Sequence, residues 1–195
     1  MFEFNTDDYG KTAAALLALP RSNALGPGKP NGAAKSMLRA MTDESLLMPH
    51  RVSDKQMSAG GRSGLWLLHD FLDESHRIAQ DIHTPTGSFW HGIMHRREPD
   101  PSNAKYWFRK VGDHPVFQSL REESAELALR NRRKQGWDDA AGFLVEQSQW
   151  DPFAWIDLCE AARTGRVTCK KLCGDIQIVE WQLLFDFCYQ RASAD

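Results

Sequence analysis

Apolar residues recur at spacings of three and four in nearly every stretch between the Pro and Gly residues of this chain, and nowhere do they alternate with polar residues over the length of a strand. A period near 3.6 is the mark of an amphipathic helix, whereas strands need a period of two. A chain built from such stripes buries them by packing helix on helix. The expected fold class is therefore all-α, a single-domain helical bundle of antiparallel helix pairs over residues 1–195, with residues 21–32 (RSNALGPGKPNG) as a flexible loop.

The punctuation gives the expected helices. KTAAALLAL at 11–19 stops at Pro20, and AAKSMLRAMTDESLLM at 33–48 stops at Pro49. Residues 62–83 read as one long helix with a core stripe of Leu65, Leu68, Leu72, Ile78 and Ile82. Helices at 88–98 and 102–111 follow, the second closed by Gly112. Residues 116–135 and 137–149 read as two more. Asp151 and Pro152 form an N-cap and first-turn pair for the next, which Gly165 closes. The last helix, 168–191, is apolar almost all round from Ile176 to Tyr189 and is expected in the middle of the bundle.

Composition removes several classes. With 14 Gly, 9 Pro and 4 Cys in 195 residues, the chain is neither collagen-like, nor low-complexity, nor a disulfide scaffold. A net charge of −2 argues against a nucleic-acid partner, which would call for a clear excess of Lys and Arg. No apolar run approaches the ~18–20 residues that cross a bilayer, so no membrane partner is expected. The start MFEFNTDDYGK has no basic segment followed by an apolar one, which makes a cytoplasmic location the expectation. Cys159, Cys169, Cys173 and Cys188 then read as reduced core thiols.

One stretch resembles a known repeat. In SFWHGIMHRREPDPSNAKYWFRKVGDHP, residues 88–115, Gly92 and Ala104 stand where a tetratricopeptide-type hairpin has the small residues at which its two helices touch. Phe108 and Val111 fall on its next aromatic and apolar positions, Pro115 comes one residue early, and His95 replaces an aromatic. A weaker echo runs from 139 to 152. Two imperfect matches are fewer than the three or more repeats of a solenoid, so the resemblance implies local packing geometry. GSFWHGIMHRRE, NAKYWFRKVGDHP and WQLLFDFCYQRA also resemble a family of uncharacterised bacterial and fungal helical proteins, which implies no activity, substrate or site.

Five of the seven histidines lie between His69 and His95. If 62–83 is one helix, Trp66, His69, Asp73, His76, Gln80 and His83 form a single stripe; His91, His95 and Glu98 share a face of the next. TPTG at 84–87 is short enough to make the two helices neighbours. His69, Asp73, His76, His91, His95 and Glu98 are thus candidate ligands for a divalent transition metal (Zn, Fe, Ni or Mn), although histidines flanking a core stripe also serve as hydrogen-bonding or solvated residues. Trp90, Arg96, Arg97, Tyr106 and Arg109 are candidates for an anionic ligand, with Asp186 beside them. Glu180, Gln182 and Asp186 interrupt the apolar last helix, and a buried carboxylate there needs a partner that Arg96, Arg97 or one of the histidines can supply.

No nucleophile elbow, zinc-protease motif or phosphate loop occurs. The sequence therefore favours a non-catalytic binding module that takes a protein or peptide partner or a second copy of itself. The alternative is a metal- or small-ligand-binding enzyme using the histidine-rich face of residues 69–98.

Overall fold

Helix boundaries mostly fall where proline, glycine and short polar side chains dictate, and one break that departs from this, at Asp70, matters for the site. A computed structural model describes residues 2–133 and 137–194. Its helices are α1 Lys11–Leu17, α2 Gly32–Ala40, α3 Asp43–Leu47, α4 Lys55–Leu68, α5 Leu72–Ala79 and α6 Pro85–Arg97. They continue as α7 Pro101–Val111, α8 Val116–Arg132, α9 Phe143–Glu146, α10 Pro152–Arg163 and α11 Lys170–Ala192. Two-residue strands, β1 Arg51–Val52 and β2 Ser193–Ala194, pair antiparallel and tie the end of α11 to the segment before α4. The all-α expectation holds.

The stretch 33–48 is two helices. Met41 is extended and Thr42 caps α3, its hydroxyl accepting from the Ser45 backbone N–H while the Ser45 hydroxyl accepts from that of Thr42. The stretch 62–83 also divides, into α4 and α5. Asp70 adopts a left-handed conformation at φ 63°. The Asp70 N–H bonds the Leu67 carbonyl at 3.1 Å and the Phe71 N–H bonds that of Trp66 at 3.0 Å. Phe71 packs edge-on against Trp66 with ring centroids 5.2 Å apart. These are the two hydrogen bonds and the apolar contact of a Schellman motif, with Asp in place of the usual glycine. In 137–149, a 3-10 turn at Asp139–Ala141 and the single-turn α9 replace a continuous helix. The expected end of the 116–135 helix lies partly outside the described residues, in 134–136.

Residues 21–32 are non-helical up to the first residue of α2, yet tied down. Leu25 is buried. Gln177 Nε2 donates to the Ala24 carbonyl at 3.0 Å, and Arg97 Nε donates to that of Gly26 at 3.2 Å. Asp70 accepts from the Ser22 hydroxyl at 2.8 Å and the Lys29 N–H at 3.2 Å. Asp70 thus ends α4 and fastens this segment at the same time.

As expected, α11 lies at the centre, packed on α4, α8 and α10. Trp181, Leu184, Phe185 and Cys188 bury its length. The four cysteines are free and buried. Less expected is α6, buried continuously from Thr86 to Arg97 although it carries two histidines and two arginines. Its extensive contact with α7 depends on Gly92, where a Cβ would lie 2.7 Å from the ring of Phe108, itself buried. Gly92→Ala is expected to cost about 1–3 kcal/mol, since a packed core cannot absorb the extra carbon freely. Urea denaturation at neutral pH measures this directly.

Candidate metal centre

The break at Asp70 rearranges the histidines. His69 caps α4 and turns away from the others. It is buried, its Nε2 donating to the Leu16 carbonyl at 3.1 Å and its Nδ1 accepting from Asn31 Nδ2 at 3.2 Å. Asp73 and His83 are exposed. The continuous stripe expected over 66–83 therefore does not form, and neither His69 nor Asp73 belongs to the cluster.

His76 of α5 does meet His91 and His95 of α6. One ring nitrogen from each lies within 4.8 Å of the other two. Ring centroids are 4.5 Å apart for His76 and His91, 5.3 Å for His76 and His95, and 4.9 Å for His91 and His95. The helical i, i+4 spacing stacks His91 and His95 nearly parallel, at 16°. His76 meets both edge-on from the neighbouring α5.

The group sits under a lid from α7. Trp107 lies flat on His91, with centroids 3.8 Å apart and planes at 13°. The Lys110 ammonium stands 4.4 Å from the Trp107 ring centre and 4.6 Å from that of Tyr106. Asn103 presents its amide to His95, 3.1 Å from Nε2. Asn103, Trp107 and Lys110 follow i, i+4, i+7 spacing and so share one face of α7.

His91 is 2% exposed, and both its ring nitrogens lack a hydrogen-bond partner among the described residues. Leaving a buried polar atom unpaired costs about 1–3 kcal/mol. Burial, followed by the proximity of His76, His95 and Lys110, pushes its pKa down to about 3. His91 is therefore a neutral imidazole with an available lone pair at any physiological pH. Burial also lowers His95, against an opposing pull from Glu98. Glu98 Oε2 stands 3.0 Å from His95 Nδ1. With the proton on Nδ1 held by that carboxylate, Nε2 is the nitrogen left as a ligand, and Asn103 would have to turn aside from it.

Three imidazoles at these distances can hold a metal ion. A tetrahedral zinc site with Zn–N bonds of ≈ 2.0–2.1 Å requires nitrogens roughly 3.4 Å apart. The rings would have to draw together by about 1 Å or somewhat more, within reach of small side-chain rotations.

The other candidates lie elsewhere. Trp90 is fully buried and donates to the Cys188 sulfur at 3.4 Å. Arg96 is buried against Glu180, and Arg97 against Asp70 and the Leu67 carbonyl, the latter at 2.7 Å. Asp186 accepts from the Tyr9 hydroxyl at 3.0 Å. Tyr106 is 46% exposed beside Trp107, and Arg109 is exposed on α7. The structure thus gathers three of the six candidate ligands, adds Glu98 behind one of them, and distributes the anion candidates over separate places. The sequence reading missed Asn103, whose spacing from Trp107 and Lys110 was the available signal.

Among the described residues no helix is long and apolar enough to cross a membrane. Comparison with protein-family models, with curated proteins and with solved structures gave no match.

Proposed function

We propose that this protein binds a divalent transition metal through His76, His91 and His95, and that the metal is its functional centre. The observation that carries the reading is His91: a buried, neutral imidazole with no hydrogen-bond partner among the described residues, placed by its helix beside two more imidazoles. This shifts the preference from the non-catalytic binding module favoured by sequence to the metal-binding alternative. An all-nitrogen ligand set favours Zn, Ni or Fe over Mg or Ca, which prefer oxygen. Three protein ligands leave a fourth position for water or substrate, the arrangement of catalytic rather than structural zinc. Zinc held at such a site would lower the pKa of a bound water to about 7, so hydrolytic chemistry is the reaction class this site supports. Glu98 behind His95 orients the ring and raises its basicity as a ligand.

The test is metal analysis of protein made without a histidine tag, followed by calorimetric titration of the chelator-stripped protein with Zn(II) and Ni(II). One equivalent is expected to bind. His91→Ala and His95→Ala are each expected to weaken binding at least 100-fold, and Glu98→Gln about 10–100-fold. His83→Ala, at an exposed position, should leave binding unchanged. Failure of the stripped, folded protein to take up any stoichiometric metal, or uptake that survives the loss of all three histidines, would falsify the reading.

A further inference from the structure

A concave site lies at the C-terminal end of α7 and shares no lining residue with the histidine group. It is a cleft of about 790 Å³ between the end of α7, the first turns of α8 and the segment leading into α10. Small-molecule sites commonly occupy ≈ 300–1,000 Å³, so the volume suits a ligand of modest size. Phe117, Trp150 and Phe153 contribute aromatic walls, while Arg109 from α7 and Arg121 from α8 bring two guanidinium groups to the same cleft. Aromatic walls with a few convergent polar groups are the usual composition of a ligand site.

Charge narrows the class of ligand. Arg109 is exposed and has no carboxylate partner among the described residues. Arg121 reaches the neighbouring Glu122 at 3.2 Å, a partner that is itself largely exposed and holds it weakly. Asp113 is the sole carboxylate among the residues lining the cleft, so the two cations outnumber it. Trp150 supplies an independent observation. It is 6% exposed, and its indole N–H has no hydrogen-bond partner among the described residues. Trp150 is also one of the residues lining the cleft, so an unpaired donor lies in its wall.

We propose that this cleft binds a small aromatic carboxylate or phosphate, its flat body between Phe117, Trp150 and Phe153 and its anionic group on Arg109 and Arg121. Guanidinium forks match the geometry of carboxylate and phosphate oxygens, and the aromatic rings offer faces for stacking. The cleft requires no metal, and this inference stands independently of the histidine centre.

The experiment is calorimetric and tryptophan-fluorescence titration of the full chain, held metal-free by chelator. The probes are benzoate, phenylacetate, naphthoate and phenyl phosphate, with naphthalenemethanol as a neutral control. At least one of the four anions is expected to bind saturably at one site, roughly ten-fold or more tightly than the alcohol. Arg109→Gln and Arg121→Gln, at positions outside the core, should each weaken binding about ten-fold while circular dichroism stays unchanged. Trp150→Phe should remove the fluorescence response. Saturable binding by none of the four anions overturns the proposal. So does binding that both arginine variants leave intact, or that the neutral alcohol matches.

Discussion

Glu180→Ala is expected to lower folding stability by about 3–5 kcal/mol. Glu180 is fully buried on α11, and its carboxylate meets both terminal nitrogens of Arg96. The Trp155 indole N–H approaches the same carboxylate at 3.4 Å, and the Arg96 guanidinium lies 5.3 Å from the Trp155 ring centre. Burial alone would pull the Arg96 pKa down, but the adjacent carboxylate outweighs it and holds the pKa above the usual arginine range. Removing the carboxylate leaves a guanidinium in the core without a counter-charge, at a cost that removing an exposed charge does not carry. Arg96→Met combined with Glu180→Leu should recover most of the loss, because a well-packed apolar pair can replace a buried ion pair at little net expense. Chemical denaturation of both variants measures the difference. A Glu180→Ala loss below about 1 kcal/mol would show that Arg96 finds another partner or water. The consequence extends to the histidine cluster, since Arg96 follows His95 directly on α6, the helix that presents His91 and His95.

The need for such a pairing was legible in the sequence. An apolar helix interrupted by Glu180 requires a buried partner for the carboxylate, and Arg96, Arg97 and the histidines were the groups on offer. Pro49, Gly112 and Gly165 were legible for the same reason: each has a backbone restriction or freedom that can be read one residue at a time. At the end of α10, Gly165 sits at φ 76° with the Arg166 N–H bonded to the Ala161 carbonyl at 2.9 Å. Asp70 performs the same turn at the end of α4 and carries no such signal. Its left-handed conformation is tolerated because three surrounding groups fix its carboxylate: Arg97, the Ser22 hydroxyl and the Lys29 N–H. Those partners lie far away in sequence, so a local reading runs through Asp70 and predicts one helix. From that single continuation follow both errors at the candidate site, the inclusion of His69 and of Asp73. Convergence of His76 on His91 and His95 survived because it depends on the short 84–87 connection and on i, i+4 spacing. Both of these are local.

Acid should destabilise the metal-free protein well above the pH at which its carboxylates protonate, with His114 as a principal cause. His114 is 3% exposed, between Phe89 at 5.3 Å and Phe187 at 4.9 Å. Its Nδ1 accepts from the Val116 N–H at 3.3 Å and its Nε2 faces the Thr86 hydroxyl at 3.1 Å. Protonating Nδ1 means losing the Val116 bond and placing a charge among aromatic rings. Burial first, then the nearby Arg191 on α11, lower its pKa from 6.5 to about 4, against a smaller opposing effect of Asp113. Above pH 6.5 the folded and unfolded chains both hold this ring neutral, and its contribution to stability is complete. Between 6.5 and about 4 the unfolded chain binds a proton that the folded one refuses, so stability falls as pH falls, by about 1.4 kcal/mol per unit. Across the window the loss from this one group is on the order of 3 kcal/mol. Urea denaturation at steps between pH 7 and 4, with chelator present throughout, measures the slope. His114→Gln keeps hydrogen-bonding capacity without the titration, and its curve should be flatter than the parent's by one proton over that range. Parallel curves for the two proteins would mean that His114 takes up its proton in the folded state as readily as in the unfolded one.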